Sequence, residues 1–109
     1  MKVIVTGGRD YQDLNKLAEV LDKIKPTLII QGGATGADSL ADIYALNKGI
    51  ECKTYPANWS KHGRAAGPIR NREMLEANRD ATVVAFPGGA GTRNCVITAK
   101  ELGMKVIIV

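Results

Sequence analysis

Short apolar segments that each end in a glycine-rich loop are the feature that most constrains the fold of this chain. The loops are Thr6-Gly7-Gly8-Arg9, Gln31-Gly32-Gly33-Ala34-Thr35-Gly36-Ala37-Asp38 and Phe86-Pro87-Gly88-Gly89-Ala90-Gly91-Thr92. Glycine lets a phosphate approach the main chain and adopts backbone angles that other residues resist. In open α/β sheets such loops follow the carboxyl ends of the strands, where backbone N–H groups and helix N-termini converge. The pattern therefore predicts one site for an anionic ligand.

Strand and helix patterns alternate along the chain, as judged from short apolar runs and from helical spacing of apolar residues. The predicted strands are Lys2 to Thr6, Thr27 to Ile30, Ile50 to Tyr55, Ala81 to Phe86 and Val106 to Val109. The predicted helices run from Asp13 or Leu14 to Ile24, from a Thr35/Asp38 capping box to Lys48, from Pro68 onward, and from Thr92 or Asn94 to Gly103. Asp10 is predicted to cap the first helix, Gly49 to end the second, and residues 56–67 to form a long loop.

This order predicts a three-layer α/β/α fold with a five-stranded parallel sheet, formed by residues 1–109 as a single domain. Right-handed crossovers favour the strand order 3-2-1-4-5. In that order the first strand lies between the second and the fourth. The three glycine loops should therefore flank one crevice.

Composition narrows the class of protein. The chain has 109 residues, which suits one domain, and no apolar run approaches the ~20 residues that span a bilayer. The N-terminus lacks the features of a signal peptide, so a cytoplasmic location is expected. The formal charge of +4 suits an anionic partner. Cys52, Cys95 and His62 show no metal-ligand spacing, so no metal site is predicted, and His62 has no visible partner for acid–base work.

A central segment carries a more specific pattern than the glycine loops. It reads Asn58-Trp59-Ser60-Lys61-His62-Gly63-Arg64-Ala65-Ala66-Gly67-Pro68-Ile69-Arg70-Asn71-Arg72-Glu73-Met74. Together with the loops it resembles the YspA and cpYpsA-related branch of the SLOG superfamily, over essentially the whole chain. The resemblance implies a Rossmann-like domain that binds a nucleotide or nucleotide-derived ligand, in some members as a sensor in defence systems. It implies no required cofactor, and it leaves a homodimer or higher oligomer open. Because no apolar run is long enough to span a bilayer, no membrane partner is expected.

The candidate ligand-binding residues come from the loops and from this segment. They are Thr6, Gly7, Gly8, Arg9, Gly32, Gly33, Ala34, Gly36, Asp38, Asn58, Trp59, Arg64, Arg70, Asn71, Pro87, Gly88, Gly89, Gly91 and Thr92. The last glycine loop is predicted to cradle a phosphate at a helix N-terminus. Asp38 either caps its helix or accepts hydrogen bonds from a ribose. Trp59 either stacks on a base or pins the loop to the domain.

Two other functions are open alternatives. The LOG enzymes of the same superfamily cleave the N-glycosidic bond of cytokinin riboside monophosphates and carry the motif Pro-Gly-Gly-x-Gly-Thr-x-x-Glu. This chain matches the motif from Pro87 through Thr92 but has Cys95 at the Glu position, so a glycosidase would need another group, with Glu73 and Arg70 as candidates. The related Smf/DprA proteins handle single-stranded DNA. That function is less favoured, because the aromatic residues form no interleaved series for stacking.

Overall fold

The structure is a computed structural model that describes all 109 residues. Its centre is a parallel sheet of five strands: β1 (Lys2–Thr6), β2 (Leu28–Gln31), β3 (Glu51–Thr54), β4 (Thr82–Ala85) and β5 (Val106–Ile108). The order across the sheet is β3-β2-β1-β4-β5. This order confirms the predicted topology, and each observed strand end lies within one residue of the prediction.

Helices cover both faces of the sheet. They are α1 (Leu14–Ile24), α2 (Ala37–Lys48), α3 (Trp59–His62), α4 (Ala66–Ala77) and α5 (Ala90–Glu101), with a 3₁₀ turn over Gly63–Ala65. Gly49 ends α2 in the left-handed conformation, as predicted. None of the helices is both long and apolar enough to cross a bilayer.

Successive side chains of the central strands β1, β2 and β4 point to opposite faces of the sheet and supply the two cores. Val3 and Val5 of β1 pack with Leu17 of α1 and Ala41 of α2, whereas Ile4 packs on the opposite face. That second core contains residues of α4 and α5, namely Met74, Leu75, Cys95 and Ala99. Because both faces are covered, the central strands carry continuous apolar runs, such as Val3–Val5 and Leu28–Ile30, rather than alternating apolar and polar residues.

The segment between β3 and α4 corrects the predicted loop over residues 56–67. Asn58 caps the short helix α3 by accepting a hydrogen bond from the Lys61 N–H at 3.1 Å. The following helix α4 begins at Ala66 rather than at Pro68. Proline is tolerated there because N–H groups of the first turn have no intrahelical partner.

The first helix α1 begins at Leu14 as predicted, but its cap and the starts of two other helices differ from the predictions. Asp13, not Asp10, caps α1, because its carboxylate accepts from the Lys16 N–H at 2.9 Å. The residue that precedes α2 is Gly36, which makes no side-chain cap, so the predicted Thr35/Asp38 capping box does not form. The last helix α5 starts at Ala90, directly after Gly89, rather than at Thr92 or Asn94.

Candidate functional site

Backbone hydrogen bonds join the three glycine loops at the carboxyl edge of the sheet. The Gly8 N–H donates to the Pro87 carbonyl at 2.9 Å and thereby ties the first loop to the third. The Ala37 N–H donates to the Gly8 carbonyl at 3.1 Å and ties the second loop to the first. The loops therefore form one continuous surface, as the strand order predicts.

A crevice of about 510 Å³ opens above this surface. Its volume lies within the range of small-molecule sites, roughly 300–1,000 Å³. Most of the sequence-predicted residues line it: Thr6, Gly7, Gly8, Arg9, Gly32, Ala34, Asp38, Trp59, Arg64, Arg70, Asn71, Gly89, Gly91 and Thr92. The sequence prediction lacked the other lining residues, which are Val5, Gly67, Pro68, Met74, Ala90 and Asn94.

Five predicted residues do not line the crevice but support it. They are Gly33, Gly36, Asn58, Pro87 and Gly88. A Cβ on Gly88 would collide with the Thr92 hydroxyl and would lie 2.6 Å from the Gly8 nitrogen, so glycine is needed for packing between loops. Asn58 is occupied in capping α3.

The Arg70 guanidinium is fixed at the ends of two strands. Its Nη1 donates to the carbonyl oxygens of Gly32 and of Tyr55, the latter at 3.3 Å, and its Nε donates to Asn71 Oδ1 at 3.0 Å. A Cβ on Gly32 would overlap the guanidinium, so only glycine lets Arg70 lie this close to the main chain. Arg70 therefore brings a positive charge to the crevice in a defined orientation.

The buried Asn71 connects α4 to the first turn of α5. Its Nδ2 donates to the Gly91 carbonyl at 3.3 Å and to Asn94 Oδ1 at 3.0 Å. Both acceptors lie where the third glycine loop becomes α5. Asn71 thus positions the loop predicted to hold a phosphate. Asn94 was not among the predicted site residues. It lies one helical turn after Gly91, and a polar side chain at that spacing from the glycine loop was the sequence signal that could have identified it.

The Asp38 carboxylate lies in the wall of the crevice and is only 7% exposed. Its Oδ2 accepts hydrogen bonds from the N–H groups of Gly32 and Ala34, both at 3.2 Å. Burial raises the pKa of Asp38, and this effect is opposed by those two hydrogen bonds and by the charges of Arg70 and Arg9. The side chain therefore orders the second glycine loop instead of capping α2.

Replacing Asp38 by asparagine is expected to stabilise the ligand-free protein. The fold raises the pKa of Asp38, so the fold favours the neutral form and loses stability as the pH rises through the folded-state pKa. Asparagine keeps an oxygen for both N–H donors and carries no charge. We expect the free energy of unfolding to rise by about 1 kcal/mol at pH 7.

Urea denaturation of the wild type and Asp38→Asn at pH 7 and at pH 4 checks this prediction. The gain should shrink toward pH 4, because the raised pKa lets Asp38 protonate in the folded state, while the carboxyl is also partly protonated in the unfolded state. The exposed Asp10 provides the matched control, since Asp10→Asn removes a surface carboxylate and should change little. A variant less stable than the wild type at pH 7 would contradict the prediction.

Trp59 and Arg9 face each other across the mouth of the crevice. The Arg9 Cζ lies 5.4 Å from the centroid of the Trp59 ring, a cation–π distance, and the Trp59 side chain remains 48% exposed. The ring also lies near Gly67 of α4, whose Cβ, if present, would be 3.5 Å from it. Trp59 is thus held in place and still presents aromatic surface. Arg64 is exposed and also lines the crevice.

The catalytic candidates separate clearly in the structure. Arg70 lines the crevice, whereas Glu73 is exposed on α4 and lies outside the lining. Glu73 therefore does not supply the missing carboxylate, which corrects the expectation from the sequence. Cys95 is fully buried beneath the crevice. Burial raises the pKa of the Cys95 thiol to about 11, although a hydrogen bond with Thr6 acts in the opposite direction. His62 lies outside the lining, and no three metal-ligating side chains cluster anywhere.

Cys95 is expected to resist alkylation in the folded protein. With a pKa of about 11, roughly one thiol in a thousand is ionised at pH 8, and the sulfur is inaccessible. The half-buried Cys52 serves as the internal comparison. Iodoacetamide labelling followed by peptide mass spectrometry should modify Cys52 first, and both thiols rapidly in urea. Equal rates in the folded state would show that Cys95 is accessible.

Comparisons with known proteins agree with this architecture. The gene 61 protein of Mycobacterium phage D29 is 34% identical to this chain over an alignment 118 residues long, gaps included. The alignment covers 97% of this chain and 94% of that protein. The X-ray structure of TM1055, a Northeast Structural Genomics Consortium target, matches with a TM-score of 0.73 at 21% identity, over 96% of this chain and 71% of that chain, which shows a shared fold. The profile of the YspA, cpYpsA-related SLOG family, YAcAr, matches residues 1–62. The chain therefore belongs to the YspA, cpYpsA-related SLOG family.

Proposed function

We propose that the crevice binds a nucleotide or a nucleotide-derived signalling ligand, as a sensor or as a sink for that ligand, and that no further cofactor is required. The observation that carries the proposal is the convergence of three glycine loops and three arginines on one crevice of about 510 Å³. The arginines are Arg9, Arg64 and Arg70. Family membership and the shared fold support a nucleotide-related role.

The N-terminus of α5 suits the phosphate. The first residues of this helix, Ala90, Gly91 and Thr92, line the crevice, and Gly89 before them supplies no side-chain cap. Their N–H groups therefore have neither an intrahelical partner nor a capping side chain. Together with the helix dipole they favour an anion at this end.

The mouth of the crevice suits an aromatic base. Trp59 is about half exposed and already contacts a guanidinium, so a base could stack on the same ring or replace Arg9 there. This orientation would extend the ligand from the α5 N-terminus to the rim formed by Trp59 and Arg9.

A panel of nucleoside monophosphates, cyclic nucleotides and ADP-ribose derivatives tests the proposal by thermal unfolding and calorimetry. A ligand at about 100 times its Kd should stabilise the fold by about 2.7 kcal/mol. Trp59 is the single tryptophan of the chain, so its fluorescence should change for the same ligands. If no member of the panel raises the Tm or produces heat on mixing, the proposal fails.

Cleavage of the ligand receives no support from the site. The residue at the LOG glutamate position is the buried thiol of Cys95, and Glu73 lies outside the crevice. Release of free base from nucleoside monophosphates or NAD after long incubation would establish the glycosidase alternative instead.

Binding of single-stranded DNA that weakens steeply with salt would establish the other alternative. A homo-oligomer and a cytoplasmic location stay predictions.

A further inference from the structure

We infer that the ligand carries a ribose whose hydroxyl groups donate hydrogen bonds to Asp38, so that the crevice selects ribonucleotides over deoxyribonucleotides. The inference rests on the proposed nucleotide-binding function and names the chemical class of the ligand.

Asp38 is the only acidic residue that lines the crevice. Both of its hydrogen bonds go to Oδ2, and Oδ1 has no partner in the protein. No salt bridge within 4.0 Å involves this carboxylate. No fully buried side-chain oxygen lacks a partner, so Oδ1 is accessible from the crevice although the residue as a whole is 7% exposed. Since an ionised carboxylate only accepts hydrogen bonds, the complementary ligand group must be a donor.

A phosphate does not meet this requirement. At neutral pH it is anionic and would repel the Asp38 carboxylate, whereas the α5 N-terminus offers N–H donors and a favourable dipole. The two subsites are close, because a short series of contacts joins them. Asp38 and Arg70 both form a hydrogen bond with Gly32. Asn71, the next residue after Arg70, donates to the Gly91 carbonyl in the first turn of α5. The group beside Asp38 is therefore the one bonded directly to the phosphate, and in a nucleotide that group is the sugar.

The surroundings of Asp38 hold its acceptor in place. Asp38 accepts from the Gly32 N–H, while Arg70 donates to the Gly32 carbonyl, so one peptide segment fixes both charged groups. A Cβ at Gly32 would lie 3.0 Å from Asp38 Oδ2 and would also overlap Arg70. Binding a diol here therefore requires little reorganisation, which favours affinity. Trp59, by contrast, stands at the exposed rim, where the base would extend.

Calorimetric titration with AMP, GMP, CMP and UMP, and with their 2′-deoxy and 2′,3′-dideoxy counterparts, tests the inference. In the wild type we expect the ribonucleotide to bind at least about ten-fold more tightly than the dideoxy form, as expected for hydrogen bonds to a charged acceptor. In Asp38→Asn we expect this ratio to fall to about three-fold or less. Asp10→Asn, which changes a carboxylate outside the crevice, should keep the wild-type ratio.

The outcomes separate the two proposals. Equal binding of ribo and dideoxy forms overturns the ribose inference and leaves nucleotide binding standing. Discrimination that persists in Asp38→Asn overturns the role of Asp38. Discrimination among the four bases, without dependence on the sugar, overturns the inference by assigning Asp38 to a hydrogen-bond donor of the base. If none of the twelve compounds binds, the ribose inference is overturned, and the wider panel with cyclic nucleotides and ADP-ribose derivatives decides whether nucleotide binding stands. Thermal unfolding of Asp38→Asn shows that any loss of binding occurs in a folded protein.

Discussion

Replacing Gly36 by alanine is expected to lower the free energy of unfolding by about 3 kcal/mol or more. Gly36 has φ +75° and ψ −128°, a conformation that residues with a Cβ rarely adopt. A Cβ would also collide with the Gly8 carbonyl oxygen and with the backbone of Arg9. That carbonyl accepts from the N–H groups of Ala37 and Tyr11, so it cannot move without breaking the connection between the first two loops.

Urea denaturation of Gly36→Ala measures this loss, and Gly49→Ala is its matched control. Gly49 also has a positive φ, +67°, but nothing lies within 4 Å of its hypothetical Cβ. Its replacement should cost only about 1 kcal/mol, the conformational penalty alone. Similar losses in the two variants would show that the contact between Gly36 and Gly8 does not limit stability. Gly36→Ala should also weaken nucleotide binding, because the loops it joins form the crevice.

The strand order of the sheet could be predicted from sequence because it depends on a small number of local sequence features. Apolar runs of three or four residues mark four of the five strands, and the helical segments between strands require parallel crossovers of one hand. The order β3-β2-β1-β4-β5 follows, and so does the meeting of the loops that contain Gly7, Gly32 and Gly88. The prediction of one crevice thus depended on topology and needed no side-chain detail.

The orientation of Asp38 could not be predicted in the same way. Its spacing from Thr35 is that of a capping box, and the sequence favoured that interpretation. The positive φ of Gly36 redirects the chain, so the carboxylate turns back to Gly32 and Ala34. This orientation of the Asp38 carboxylate depends on the close approach of Gly36 to Gly8, a residue that is distant in the sequence. The short helix α3 was not predicted for a different reason: four residues are too few to show a helical period.

Glycines that line the crevice and glycines that support it look alike in sequence. Gly89 and Gly91 line the crevice, and a Cβ on either would meet nothing within 4 Å. Gly88 lies next to them but is packed against Thr92 and Gly8. The distinction arises from loop packing in three dimensions, so a motif alone cannot assign ligand contacts residue by residue.

Replacing Arg70 by methionine is expected to weaken nucleotide binding by about 10- to 100-fold and to lower the free energy of unfolding by about 2 kcal/mol. The reason is that a hydrogen bond from a charged donor contributes about 1.5–3 kcal/mol. Methionine fills similar space but leaves the carbonyl oxygens of Gly32 and Tyr55 without this donor. It also removes a positive charge that opposes the rise in the pKa of Asp38, so Asp38 should protonate at a higher pH than in the wild type. Binding of a ribonucleotide to this variant should therefore decline further as the pH falls.

The matched control for Arg70→Met is Arg72→Met on the same helix. Arg72 forms exposed ion pairs with Glu76 at 3.2 Å and with Glu101 at 3.7 Å, outside the crevice. Surface pairs of this kind contribute at most about 1 kcal/mol, so its loss should leave nucleotide affinity unchanged. Calorimetry at pH 7 and pH 5, with urea denaturation of both variants, separates binding from folding. An equal loss of affinity in the two variants would mean that net charge, rather than the fixed Arg70 guanidinium, attracts the ligand.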